Sequence, residues 1–400
     1  MNRGEPGRLT ALQSLMREWS ALAPYSFIHA MRLNESPNVA GWQNAVTASM
    51  RELSISSTPI TVERAATGLD AHLETELHRP FSPGDAPFRF FVVNESDRSH
   101  WFGAVIDHWA ADDFSGRLLL KRIYSEYRAQ ADPIPRLTVR RSWPQTRLGF
   151  REWGAFLKED IRMRRACRPS VRDPLDFTVR VFRRVLPEAA LEGIRAESKR
   201  CGATFNDVLL AATAQSFSAA RRWDGANKRN AVAIISAMDL RRFEPEATRN
   251  RFELLVSHFG VLARRPDEKP LHEVIQQVTA QTRQLKARPG TELLGPTLFL
   301  WHLNWSRRAK ATFFIRGSPF VAGLSNVNFT GTWIERSGVT DYRRVGPTGP
   351  LVPMVLMITT FRGRIFIEVT FRTTAFSLAQ AEQLIDGVIQ RLPSRVESRP

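Results

Sequence analysis

The chain has 400 residues, long enough for two core-forming units, and its apolar content is ordinary for a globular protein. No run of eighteen apolar residues occurs and the first residues lack a basic stretch followed by an apolar core, so neither a transmembrane helix nor a secretory signal is expected. A formal charge of +17 and a pI near 11.0 favour anionic partners and say nothing about fold.

Taken in order, Leu9, Leu12, Met16, Trp19 and Leu22 recur on one face and predict an amphipathic first helix docked on the body, membrane contact being the other use of such a face. Residues 25–33 read as a strand and 39–53 as a helix with Asn38 at its cap. Two strands, 88–93 and 100–106, flank a polar turn. In the second, Phe102, Ala104 and Ile106 share a face; Phe114, Leu118, Leu119, Ile123 and Tyr127 then recur at helical spacing. Residues 130–148 are rich in proline and arginine and read as a surface connection, followed by a basic helix over 153–165. Asp173-Pro174 precedes a strand at 177–185, so two units are expected, 1–172 and 173–400. Proline opens a helix at 187–200, and Thr204 caps a long apolar one running to about Arg221. A buried strand at 232–238, a helix at 271–285 and a strand at 320–327 follow. Strands 353–361 and 365–371 form a hairpin around Arg362-Gly363-Arg364, and a helix at 378–392 ends the chain. Both halves mix strands and helices, with no repeat of solenoid length, so the class is α/β.

The chemistry concentrates in Val105-Ile106-Asp107-His108-Trp109-Ala110-Ala111-Asp112-Asp113-Phe114-Ser115-Gly116. His108 falls at a strand-to-helix turn, where rigid elements present reactive side chains, and small Ala110 and Ala111 let that turn be tight. An imidazole titrating near neutrality suits general-base work. Taken alone, the spacing also fits an ordinary histidine beside a solvated carboxylate. Cys167 and Cys201 have no metal-ligand spacing and read as free thiols of a reducing compartment, so a cytoplasmic location and no metal are expected.

His108-x-x-x-Asp112 resembles the H-H-x-x-x-D-G signature of the CoA-dependent acyltransferase superfamily, which includes chloramphenicol acetyltransferase, nonribosomal peptide condensation domains and wax ester synthases. The segments 79–90, Phe205-Asn206-Asp207-Val208-Leu209-Leu210, Met238-Asp239-Leu240-Arg241 and Leu324-Ser325-Asn326-Val327 are similar to family segments in family order. Two positions depart: Asp107 stands for the first histidine, and Asp113 for the glycine, where it is expected to shift the turn and the aim of His108.

The resemblance implies two chloramphenicol-acetyltransferase-like lobes with mixed sheets and a tunnel between them. It implies an acyltransferase that moves an acyl group from a CoA or carrier-protein thioester to an alcohol or amine, with His108 as base and no bound cofactor. The chain offers no G-x-S-x-G elbow, so direct attack without a covalent intermediate is expected. Asp112 could orient His108 in a triad-like way; family precedent turns it instead toward an arginine of the second half, Arg241 or, failing that, Arg242. Ser325 and Asn326 are oxyanion candidates, or else ordinary strand-end turn residues. His258 and His302 are secondary bases or plain interior histidines. Arginine clusters at 140–141, 162–165, 183–184, 221–222 and 307–308 would recruit the phosphates of acyl-CoA or an acidic acyl carrier protein, or else form a scattered solvated surface. Two other classes stay open: a degenerate domain that binds a carrier or assembly-line partner, favoured by Asp107 and Asp113, and a nucleic-acid-binding protein, favoured by charge but without a supporting motif.

Overall fold

The computed structural model describes residues 9–393 apart from 56–58, 65–67, 83, 130–147, 169, 221–228, 289, 292 and 304–305. The arginine pairs at 140–141 and 221–222 and almost all of the proline-rich connection lie outside the described residues.

In chain order the elements are α1 (Ala11–Leu22), β1 (Ser26–Leu33), α2 (Val39–Glu52), β2 (Thr61–Arg64), α3 (Gly68–His78), β3 (Phe88–Ser96), β4 (Ser99–Asp107) and α4 (Asp113–Tyr127). Next come α5 (Phe150–Met163), β5 (Val179–Val185), α6 (Glu188–Arg200), α7 (Phe205–Ala220), β6 (Ala231–Asp239), β7 (Val256–Arg264) and α8 (Leu271–Lys286). The rest are α9 (Leu294–His302), α10 (Arg307–Ala311), β8 (Phe320–Asn328), α11 (Trp333–Arg336), β9 (Val339–Val345), β10 (Met354–Phe361), β11 (Arg364–Arg372) and α12 (Leu378–Arg391).

Two mixed sheets result. The first runs β2-β3-β4-β1-β9, antiparallel except for the β2/β3 pair. The second runs β5-β11-β10-β8-β6-β7, with β10/β8 and β8/β6 parallel.

The strand that ends at the motif is the best covered of its sheet. Every residue of β4 is buried. Phe102, Ala104 and Ile106 pack with Trp42 of α2 and with Leu119 and Ile123 of α4. Trp101 and Val105 face the other way, against Phe91 and against Leu73 and Leu77 of α3. A β-carbon at Gly103 would sit 2.0 Å from the Phe91 ring, so only glycine lets that ring cross β4. A strand closed in on both faces is a rigid platform for the turn that follows. The second core is built from α6, α7, α8 and α12 on their sheet; α7 is buried nearly all round, which explains its continuous apolar run.

Two stretches cross the division expected near residue 172. β9, from the second half, pairs with β1 and completes the first sheet. α5, from the first half, is tied to the second lobe: Arg162 donates to the Gly260 carbonyl at 2.6 Å, and Ala166 bridges Ala231. β2, α3, β7, α9, α10, α11 and β9 were not foreseen. β2 has four residues, and β9 carries Asp341, Arg343 and Arg344, whose charges hide the strand pattern. The β10/β11 hairpin turns through positive φ at both Arg362 (49°) and Gly363 (73°), the primed-turn geometry that suits strand twist.

Candidate active site

His108 is the first residue after β4. Its backbone N–H donates to the Tyr25 carbonyl at 3.0 Å, tying the turn to the start of β1. Its ring stacks on Tyr25 (5.3 Å, 16°) and meets Phe27 edge-on (5.0 Å, 63°). Nδ1 lies 3.2 Å from the Ala111 carbonyl. A carbonyl only accepts, so this contact assigns the proton to Nδ1 and leaves the Nε2 lone pair free. Burial pushes the imidazole below its ordinary value; hydrogen bonding to its own backbone and to Ala111, and the charges of Asp112 and Asp113, oppose that. The net result is a neutral, oriented base at pH 7.

Asp112 does not orient His108. It caps α4, Oδ1 accepting from the Ser115 N–H at 2.8 Å. Arg241, just past β6, donates to both of its oxygens, at 2.7 and 3.2 Å, and the Leu255 N–H donates at 2.8 Å. Arg241 also reaches Ser115 Oγ and the Glu253 carbonyl, both at 3.0 Å, and lies 4.3 Å over the Phe114 ring. Both side chains of the pair are 4% exposed. The motif turn is thus locked to the second lobe through a forked, charge-assisted pair. Arg242 takes no part; it points to Met238 Sδ and the Lys286 carbonyl.

Asp113 departs from expectation. It is the first residue of α4 and its φ is not positive, so glycine's freedom is not needed there and its presence strains nothing. Its carboxylate accepts from Arg344 Nε at 2.7 Å and from Arg117 Nε at 3.0 Å. Burial alone would raise the Asp113 carboxyl, but Arg344 and Arg117 hold it well below the usual range. Arg344, fully buried in β9, continues to Ser325 Oγ at 2.9 Å, Thr359 Oγ1 at 3.2 Å and the Ile358 carbonyl at 3.0 Å. His29 lies 3.5 Å from Asp113 and 3.0 Å from the Tyr342 hydroxyl; burial pushes it down to about 3. His29, Tyr342 and Arg344 escaped the sequence reading. An arginine pair in a strand reads as exposed charge, and only the β1/β9 pairing brings it beneath the motif.

Asp107 is 6% exposed and accepts from Ser20 Oγ at 2.7 Å and Trp109 Nε1 at 3.0 Å, so it pins α1 to the motif turn. Burial raises its carboxyl, against those hydrogen bonds. Ser325 and Asn326 sit inside β8, paired opposite Met357 and Ile358, and are not strand-end turn residues. Ser325 joins the Asp113 network through Arg344, and Asn326 Oδ1 is buried without a partner among the described residues. His258, on β7, is near enough for the charge of His108 to disfavour its own; burial, the larger cause, brings it down to about 4. His302 is exposed at the end of α9, apart from these contacts.

No family model matches the sequence, and no curated protein matches it. Solved structures do. Trichothecene 15-O-acetyltransferase from Fusarium sporotrichioides superposes with a TM-score of 0.71 at 12% identity, over 96% of this chain and 94% of that one. The first condensation domain of the calcium-dependent antibiotic synthetase, in complex with a substrate analogue, gives 0.67 at 14%, over 97% of each chain. The X-domain from teicoplanin biosynthesis gives 0.63 at 16%, over 99% and 97%. At such identities the likeness is one of architecture: this chain has the two-lobed α/β fold of condensation domains and acyltransferases.

Proposed function

We propose that this protein is an acyltransferase that moves an acyl group from a CoA or carrier-protein thioester to an alcohol or amine. The observation that carries the reading is the setting of His108: held at a rigid strand end, with Nδ1 against the Ala111 carbonyl and the turn clamped to the second lobe by Asp112 and Arg241. Nε2 takes the proton of the acceptor O–H or N–H, and the freed heteroatom forms a bond to the thioester carbonyl carbon. The carbonyl π pair moves to oxygen and returns as the C–S bond breaks. The departing sulfur takes the proton from Nε2, leaving a thiol and an ester or amide. Ser325, whose oxygen accepts from Arg344 and whose hydroxyl proton is left to donate, is the polar group proposed for the oxyanion; Asn326, next to it in β8, points to the opposite face. Asp112 and Arg241 are positioning residues.

The test is to incubate the protein with acyl-CoA and acyl-pantetheine thioesters and a panel of alcohols and amines, following free thiol and acylated product together. Product dependent on His108 supports the reading; thiol release and product at the uncatalysed rate across the panel contradict it.

A second reading is a binding domain without transfer. The similarity to the teicoplanin X-domain, whose solved complex with OxyB gives a TM-score of 0.60 at 17% identity, favours it. So does Asp107, which is engaged with Ser20 and Trp109. Capture of a carrier protein with no acyl product would select it.

A further inference from the structure

A cavity of about 480 Å³ opens beside His258 on the second-lobe side of the motif. Its walls are mostly apolar; Leu12, Leu15 and Trp19 of α1 form one, and Leu294, Leu300 and Phe314 another. Charged groups are few: Glu159, Asp160, Arg168 and Arg316. That size, and an apolar lining with a few polar groups, are those of small-molecule sites and far from those of a phosphate-binding groove.

Two features lie between the cavity wall and His108. One is aromatic: Trp19 meets Tyr25 edge-on at 5.3 Å, and Tyr25 stacks on His108 at 5.3 Å. The other is His258 itself, which lines the cavity and feels the charge of His108. The wall from α1 is fixed by Asp107, whose hydrogen bond to Ser20 at 2.7 Å holds the residue next to Trp19. The departure of Asp107 from the histidine pair therefore has a local use, in shaping this cavity.

We propose that the cavity holds the apolar chain or ring of the substrate whose other end reacts at His108, and that α1, fastened by Asp107, sets the size it accepts. This rests on the acyltransferase reading for what reacts, but not for what binds. The apolar group belongs either to the acyl donor or to the acceptor.

The experiment is calorimetric titration of the full-length His108→Ala chain with two series, each added without the other substrate so that no transfer can occur: straight acyl-CoAs from acetyl to decanoyl, and straight alcohols from butanol to decanol. Each methylene that enters the cavity should tighten binding about fourfold. One series should show that gain and so identify the source. Thr297→Trp, which fills the cavity from α9, should abolish the gain and leave the shortest member's binding unchanged; Leu300→Phe makes the same test if the first variant does not fold. No length dependence in either series, or an undiminished one in both folded variants, overturns the proposal. Because binding is scored without transfer, length dependence in a protein that transfers nothing sinks only the acyltransferase reading, and transfer without length dependence sinks only this one.

Discussion

Asp112 and Asp113 are neighbours in sequence and each meets an arginine from elsewhere in the fold, yet the two pairs differ in kind. Asp112 with Arg241 is a closed pair, with both side chains 4% exposed, both carboxylate oxygens engaged by Arg241, Ser115 and Leu255, and the guanidinium reaching the Glu253 carbonyl and Asp239 as well. It joins the motif turn to the end of β6 and so fastens one lobe to the other. Asp113 with Arg344 is lopsided: the arginine is fully buried and the carboxylate 23% exposed, facing three basic groups, Arg344, Arg117 and His29. It joins the same turn to β9 and, through Ser325, to β8. One pair fixes where the turn sits; the other sets the charge beneath it. A buried pair contributes little net stability, but losing one member strands a charge.

The comparison breaks most visibly at Asp112. Asp112→Ala strands Arg241 and uncaps α4, and should cost roughly 3–5 kcal/mol in denaturant unfolding. Asp112→Leu combined with Arg241→Met should cost clearly less than Asp112→Ala alone; equal losses would show that the pair is not the cause. Asp113→Gly, which restores the residue of the resembled signature, should destabilise and not relieve the fold, by about 1–3 kcal/mol, since Arg344 keeps three neutral acceptors. A more stable Asp113→Gly chain would revive a strained turn. Asp113→Asn should in addition move the acid limb of the activity profile to lower pH, because the Asp113 charge supports protonation of His108.

Acid should weaken the fold through its buried histidines. His29 is held neutral, its folded value depressed to about 3 against an ordinary 6.5. The unfolded chain therefore binds that proton first, and the contribution is fully present above about pH 6.5 and lost progressively toward pH 3. Between pH 7 and 5 His29 alone accounts for about 2 kcal/mol, and His258, brought down to about 4, acts in the same sense. A pH-independent unfolding midpoint over that window would contradict the buried, neutral assignment. Asp113, depressed by its arginines, contributes stability that is fully present above the ordinary carboxylate range and is lost progressively as the pH falls through and below it.

The smallest effect concerns long-range charge. Arg162, Arg164, Arg183 and Arg184 are engaged within the chain, with Glu159, Asp160, Asp341 and the Glu382/Asp386 pair. Arg241, Arg343, Arg344 and Arg372 are buried. These eight of the 57 basic side chains are therefore paired or buried and do not act as free charge at a tunnel mouth. Association of an acyl-CoA, measured by stopped flow, should slow by less than about tenfold between low and physiological salt. A steeper fall would mean that the unpaired arginines act together on the donor.

What the sequence made legible was local. The period of β4 and α4, the caps at Asn38 and Thr204, and the hairpin at Gly363 are written in neighbouring residues. Arg241 was reachable because its strand ended in a recognisable Met-Asp-Leu-Arg. Arg344 was not: its role exists only because β9 returns to pair with β1, a contact between residues more than three hundred apart. α5 and β9 escaped assignment to their lobes for the same reason, since no local pattern encodes which sheet a segment joins. The use of Asp107 was hidden too, being a tether to α1 that only packing creates.

The proposed transfer depends above all on His108. Removing general-base help typically costs at least about a hundredfold, so the rate of thioester-dependent transfer by His108→Ala, with the donor and acceptor that the unaltered chain turns over best, should fall by that much. The unfolding midpoint should stay put, because His108 makes only ring contacts and one side-chain hydrogen bond to the backbone. A folded His108→Ala chain that transfers at the unaltered rate would rule out His108 as the base.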